Sequence, residues 1–192
     1  MNTEPNPFGA RFAVIWVLAN VLGVQLGSMI AYPLFMHGHE LNVPFIVMSS
    51  AVGAGIGLAQ GAVLFKRVVV GWILATAIGF AMGSVFAEFI ANGLYWMGLP
   101  GWQRSMVGHV VVVGLVVGAA QGIVLGLRST LLSWVIVNAI GYGLGHVLGY
   151  GIPILFSMYP GSLALAPIGL GVGLVTWFAL RRLAPTVSMA KQ

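Results

Sequence analysis

The sequence predicts an all-α integral membrane protein of six transmembrane helices, built as three pseudo-repeated hairpins with both termini cytoplasmic. Three observations carry that reading. Only 6% of the 192 residues are charged and 59% are hydrophobic, whereas a soluble domain carries about 25% charged residues. Six apolar runs are each long enough to supply the roughly 20 residues of a bilayer-crossing helix. The basic residues fall almost wholly at alternate breaks between those runs. A mean hydropathy of +1.02 leaves too little polar surface to cover a water-facing exterior. The length fits a single transmembrane domain, 1–192. There is no cysteine, which excludes disulfides and thiolate metal sites. The net charge of +5 lies at the ends of apolar runs, so it is read as membrane orientation and not as nucleic-acid binding.

The runs lie near 11–34, 43–65, 68–97, 106–127, 130–157 and 162–182. Strands do not fit, because barrel strands alternate in polarity and are about 10 residues long. The breaks carry loop chemistry: His37-Gly38-His39-Glu40 with Pro44, Lys66-Arg67, Pro100-Gly101 with Arg104, Arg128-Ser129-Thr130, Tyr159-Pro160-Gly161, and Arg181-Arg182 with Pro185. The opening MNTEPNPFGA has no basic residue, so it reads as a polar tail and not as a signal peptide. Arg11, Lys66, Arg67, Arg128, Arg181, Arg182 and Lys191 fall on one side of a six-span topology and Arg104 alone on the other. That bias puts both termini inside, in a multi-pass protein of the cytoplasmic (inner) membrane.

One pattern recurs. Trp16, Gly23 and Gly27 match Trp72, Gly79 and Gly83, and again Trp134, Gly141 and Gly145. In the returning runs, Gly53, Gly57, Gln60 and Gly61 match Gly114, Gly118, Gln121 and Gly122, while the sixth has Thr176-Trp177 where Gln-Gly would fall. The hairpins are about 11–67, 68–128 and 129–183, parallel repeats about an axis along the membrane normal. The elements WVLANVLG, WILATAIG and WVIVNAIG, with GAGIGLAQGAVL and GLVVGAAQGIVL, resemble a group of bacterial multi-pass membrane proteins. That group is built from tandem Trp-Asn-Gly and Gly-Gln helical hairpins, often with Gln-Trp in place of Gln-Gly. The resemblance spans most of residues 12–182. It implies the hairpin architecture, brings no catalytic residues, and makes the divergent sixth span a capping or partner-facing element.

Each residue type has a physical role to fill. An indole favours the membrane interface, so Trp16, Trp72 and Trp134 are expected to mark the cytoplasmic boundary with their N–H groups toward water. Glycines four apart line one helix face and admit a neighbouring backbone, because no hydrophobic force drives helices together in lipid. Asn20, Thr76 and Asn138 follow each Trp by four residues, and Gln60, Gln121 and Thr176 lie at a similar depth on the returning runs. They are expected to bond between helices, with a polar pathway as the sharper alternative. Ser84, Glu88, Asn92 and Tyr95 form a second stripe, and Tyr142, His146 and Tyr150 another.

Glu88 is the one acidic residue inside a run, and a buried charge there demands a partner or protonation. Glu88, Asn92, His109, His146 and Tyr150 are therefore the candidate ligand or ion-pathway residues. His37, His39 and Glu40 could hold a metal such as Zn, Ni or Co, although their spacing is no metal signature. No nucleophile elbow, HExxH, phosphate loop or CxxC occurs, so no enzyme activity is expected, and nothing specifies a cofactor. The leading expectation is a structural or accessory membrane subunit or a binder of hydrophobic ligands. Its partners would be the lipid bilayer and other membrane subunits or further copies of itself. The alternative is a small transporter or substrate-binding subunit of a vitamin or metal uptake system with an outward-facing polar site. A third is an ion path through Glu88.

Overall fold

Six helices form a closed ring. The structure is a computed structural model that describes residues 8–41, 45–64, 68–98, 110–151 and 165–189. The helices are α1 (Ala10–Leu41), α2 (Phe45–Gly61), α3 (Val69–Trp96), α4 (Val112–Val124), α5 (Leu131–His146) and α6 (Leu165–Met189), with a π-helical turn at Val147–Gly151 continuing α5. Each packs on its neighbours in the chain, and α6 closes the ring against α1. The described residues are all-helical apart from turns. Among the described residues, three segments are long and apolar enough to cross a membrane: Ala10–Leu34, Val69–Trp96 and Leu131–Gly149.

The break expected at 35–43 falls later, because α1 continues to Leu41 through Pro33. Nothing between Leu34 and Leu41 removes a backbone donor, so the helix continues through that segment. The turn after α4 is set by Gly126 at φ 68°. Gly126 N–H donates to Ile123 O and Leu127 N–H to Gly122 O, both at 3.0 Å. This pairing satisfies the last carbonyls of the helix and drops Leu127 into the core.

Glycines set the helix spacing at all six interfaces. A Cβ on Gly23 would stand 2.9 Å from Ile56 Cα, on Gly57 3.0 Å from Ile73 Cα, and on Gly79 2.9 Å from Val117 Cα. On Gly118 it would stand 2.9 Å from Val135 Cα, on Gly145 2.6 Å from Ile168 O, and on Gly169 2.5 Å from Val21 Cα. Backbone therefore lies on backbone around the whole ring.

The inward faces form rows at four-residue steps. On α1 the row is Phe12, Trp16, Asn20 and Val24, with Phe8 just before the helix; on α3 it is Trp72, Thr76, Phe80 and Ser84; on α5 it is Trp134, Asn138 and Tyr142. The core is layered along these rows. Phe8, Leu64, Leu125, Leu127 and Leu180 close the end where Arg11, Arg128, Arg181 and Arg182 stand exposed. The three indoles and the amide and hydroxyl side chains come next. Val24, Ile56, Phe80, Val113, Val117, Tyr142, Ile168 and Val172 fill the space beyond. The outward faces are apolar: Leu22, Met29, Val70, Ile78, Leu132, Ile140, Leu174 and Phe178 are all exposed.

Closure by α6 yields a direct expectation. Gly169→Leu forces α6 off α1 and lowers stability by about 1–3 kcal/mol, the usual cost of overpacking. Gly143→Ala, where nothing lies within 4 Å, is neutral or slightly stabilising. Denaturant titration in detergent micelles, comparing both with wild type, checks the pair; equal behaviour of the two variants contradicts the close-packed ring.

Candidate functional site

The candidate site is the polar layer at the centre of the ring. Trp16, Trp72 and Trp134 project inward from alternate helices α1, α3 and α5, and each is wholly buried. Trp72 touches both of the others, with ring centroids 6.2 Å from Trp16 and 6.4 Å from Trp134. This corrects the expectation that the indoles mark a membrane boundary with their N–H groups in water. Two of the three find acceptors for the N–H on the neighbouring returning helices. Trp16 Nε1 donates to Thr176 Oγ1 at 2.9 Å, and Trp72 Nε1 to Gln60 Oε1 at 3.0 Å.

The rest of the layer builds on these bonds. Gln60 Nε2 donates to Asn20 Oδ1 at 2.8 Å. Gln121 Nε2 donates to Thr76 Oγ1 at 3.0 Å and to Gln60 Oε1 at 3.2 Å. Asn20 Nδ2, Thr76 Oγ1 and Asn138 Nδ2 each donate to the carbonyl of the Trp four residues earlier, and Thr176 Oγ1 donates to Val172 O. Asn20, Gln60, Thr76, Gln121, Asn138 and Thr176 are all buried in this one layer. Gln60 is its hub, since its carbonyl accepts from α3 and α4 while its amide donates to α1.

The third hairpin breaks the pattern. A glutamine at 176 would offer both a carbonyl and an amide; threonine offers one hydroxyl, used by Trp16 and Val172 O. The Trp134 indole N–H has no partner among the described residues, and neither has the nearby Thr130 hydroxyl. Among the described residues, no side-chain hydrogen bond within the layer ties α5 to its neighbours. Apolar packing and glycine contacts hold that helix instead.

The outer-half candidates do not form one constellation among the described residues. Ser84 is buried, but Glu88, Asn92 and Tyr95 stand exposed on α3. The reason is geometric. At about 100° per residue, a row of four-residue steps winds about 40° per step, so Glu88 lies about 160° around the helix from Trp72. His146 is half-buried on α5, with Nδ1 3.1 Å from Tyr142 O. α3 and α5 are not consecutive in the ring; α4 packs between them. His109 and the side chain of Tyr150 lie outside the described residues. So do the side chains of His37, His39 and Glu40, whose backbone forms the last turns of α1. No cluster of three His, Asp or Glu residues suited to a metal occurs among the described residues.

Sequence reasoning missed the plug. Phe80 and Tyr142 meet edge to face with centroids 5.6 Å apart, in the apolar layer beyond the amides. Each lies one residue after a packing glycine and four after Thr76 or Asn138. The signal was therefore present: the inward row continues at the same step.

No protein family, curated protein or solved structure matches the chain. The chemistry of the layer gives its own expectations. Gln60→Leu strands the Trp72 N–H and the Asn20 carbonyl together, and an unsatisfied buried polar group costs about 1–3 kcal/mol. It is expected to destabilise more than Gln121→Leu in equilibrium unfolding. Trp134→Phe is expected to cost less than Trp72→Phe in the same assay, because only the latter loses a hydrogen bond. The reverse order would contradict the assigned network.

Proposed function

We propose that the protein is a six-span integral membrane protein of the inner membrane with both termini cytoplasmic, acting as a structural or accessory subunit without catalytic activity. One observation carries the reading: the polarity of the ring is inverted relative to a water-soluble bundle. The exterior carries Leu, Ile, Val, Met and Phe side chains, while amides and hydroxyls are buried at the centre and bonded to one another. In hydrocarbon, polar groups must find partners inside the protein, and an apolar exterior carries no penalty. The positive-inside bias supports the orientation. The recurring Trp and Gly-Gln elements, and the resemblance to tandem-hairpin membrane proteins, support three parallel hairpins.

The accessory role draws on the interior and on α3. Apolar side chains fill the ring beyond the amide layer, including the Phe80–Tyr142 pair, so the described interior offers no continuous polar path. Glu88 stands exposed between Phe86 and Phe89, both also exposed. The exposed apolar face of α3 that carries Phe86 and Phe89 offers a surface to another membrane subunit, or to a second copy.

The test separates this from uptake. Cross-linking and native electrophoresis are expected to show an assembly with further copies or another membrane subunit, and Phe86→Ala with Phe89→Ala is expected to weaken it. Proteoliposomes are expected to show no flux sensitive to Glu88→Gln or His146→Ala. Flux abolished by either substitution would overturn the accessory reading in favour of the transport alternative.

A further inference from the structure

We infer that the groove between α5 and α6 is a binding site for one anionic phospholipid of the cytoplasmic leaflet, with Arg182 as its phosphate contact. This rests on the membrane reading proposed above. The groove is lined by Val137 of α5 and by Leu174, Val175, Phe178, Ala179 and Arg182 of α6. The five α6 positions recur at one-turn spacing and extend about 12 Å along the helix at 1.5 Å per residue. Its walls are hydrocarbon and its end is a guanidinium. That gradient matches the upper acyl chain and phosphate of a lipid lying parallel to the helix.

The groove has a structural origin. The third hairpin packs less tightly than the others at this level. A Cβ on Gly141 would stand 3.3 Å from Val172 Cα, against 2.9 Å for both Gly23 to Ile56 Cα and Gly79 to Val117 Cα. Val137 stands where the corresponding residues of the first two hairpins are Ala19 and Ala75, and Val175 where they are Ala59 and Ala120. The bulkier pair props the helices apart.

Charge selects the occupant. Arg182 is exposed, and its guanidinium carbon stands 5.1 Å from the Phe178 ring centroid, which sets the cation beside the groove wall. Arg181 follows on the same turn, its guanidinium carbon 6.0 Å from the Trp177 ring centroid. The acidic residues of the whole chain are Glu4, Glu40 and Glu88, and no carboxylate pairs with Arg182 among the described residues. A basic site between helices on the cytoplasmic side favours an anionic headgroup over a zwitterionic one.

Full-length protein in nanodiscs of equal phosphatidylglycerol and phosphatidylcholine, released and weighed by native mass spectrometry, provides the test. Wild type is expected to retain one phosphatidylglycerol in preference to phosphatidylcholine. Arg182→Gln is expected to lower that retention about fivefold, as is Val175→Phe, which fills the groove and leaves the charge. Arg128→Gln, an exposed cation away from the groove, should retain wild-type preference. Equal retention of the two lipids by wild type, or undiminished phosphatidylglycerol on Arg182→Gln, overturns the site. Alkaline extraction of cell membranes, run in parallel, distinguishes the two levels: extractable protein defeats the membrane reading, whereas resistant protein without lipid preference defeats the groove alone.

Discussion

The central constraint is the burial of the indole N–H groups, two of which are accepted by side chains on neighbouring helices. Three tryptophans meet on the axis of the ring, far from any surface that could supply a solvent partner. A hydrogen bond between membrane helices is worth only about 0.6 kcal/mol on average, so the layer does little to hold the ring by strength. Its weight lies in the alternative: rotating any one helix would bury several unpaired donors together. The amide layer therefore fixes rotation, while the glycines fix distance. Each device would be insufficient alone, since smooth glycine faces slide and polar side chains at normal helix spacing would not reach.

This division explains why the layers appear in their order. The indoles are large and fill the axis where six helices cannot meet. The amides behind them are short enough to bond across adjacent helices. Beyond them, Val, Ile, Phe and Tyr close the remaining space by volume, with no bonding demand on their neighbours apart from the Tyr142 hydroxyl. The apolar end cluster under the exposed arginines does the same on the other side. A polar layer sealed above and below by hydrocarbon is shielded from competing water, which keeps weak bonds intact.

Much of this was legible in the residues. Six helical runs, glycines at every interface and six polar positions at one depth could be read from spacing and composition. The direction of the tryptophans could not. Interface preference is a property of an isolated indole, and it loses when a glutamine one helix away is placed to accept the N–H. Nor could spacing alone follow the stripe from Ser84 to Glu88, because a four-residue row drifts around the helix and inward becomes outward over the four steps from Trp72. The unmatched N–H of Trp134 could not be read from spacing either, because Gln121 is present on the returning helix before it and its amide is turned to Thr76 and Gln60. Trp16 and Trp72 each draw on the returning helix before them in the ring, and so Thr176 serves Trp16 and not its own hairpin.

That direction has a consequence for biosynthesis. Trp72 finds its acceptor in Gln60, made twelve residues earlier, and Gln60 finds Asn20, made forty residues before it. These bonds can form as the chain emerges. Trp16 is different: its acceptor lies 160 residues downstream, on the last helix of the ring. Through most of synthesis the first helix carries an indole whose partner does not yet exist. The ring is thus sealed by its earliest and latest residues, and a nascent chain that stops short of α6 retains an open seam and an unsatisfied donor by which the unfinished protein differs chemically from the finished one.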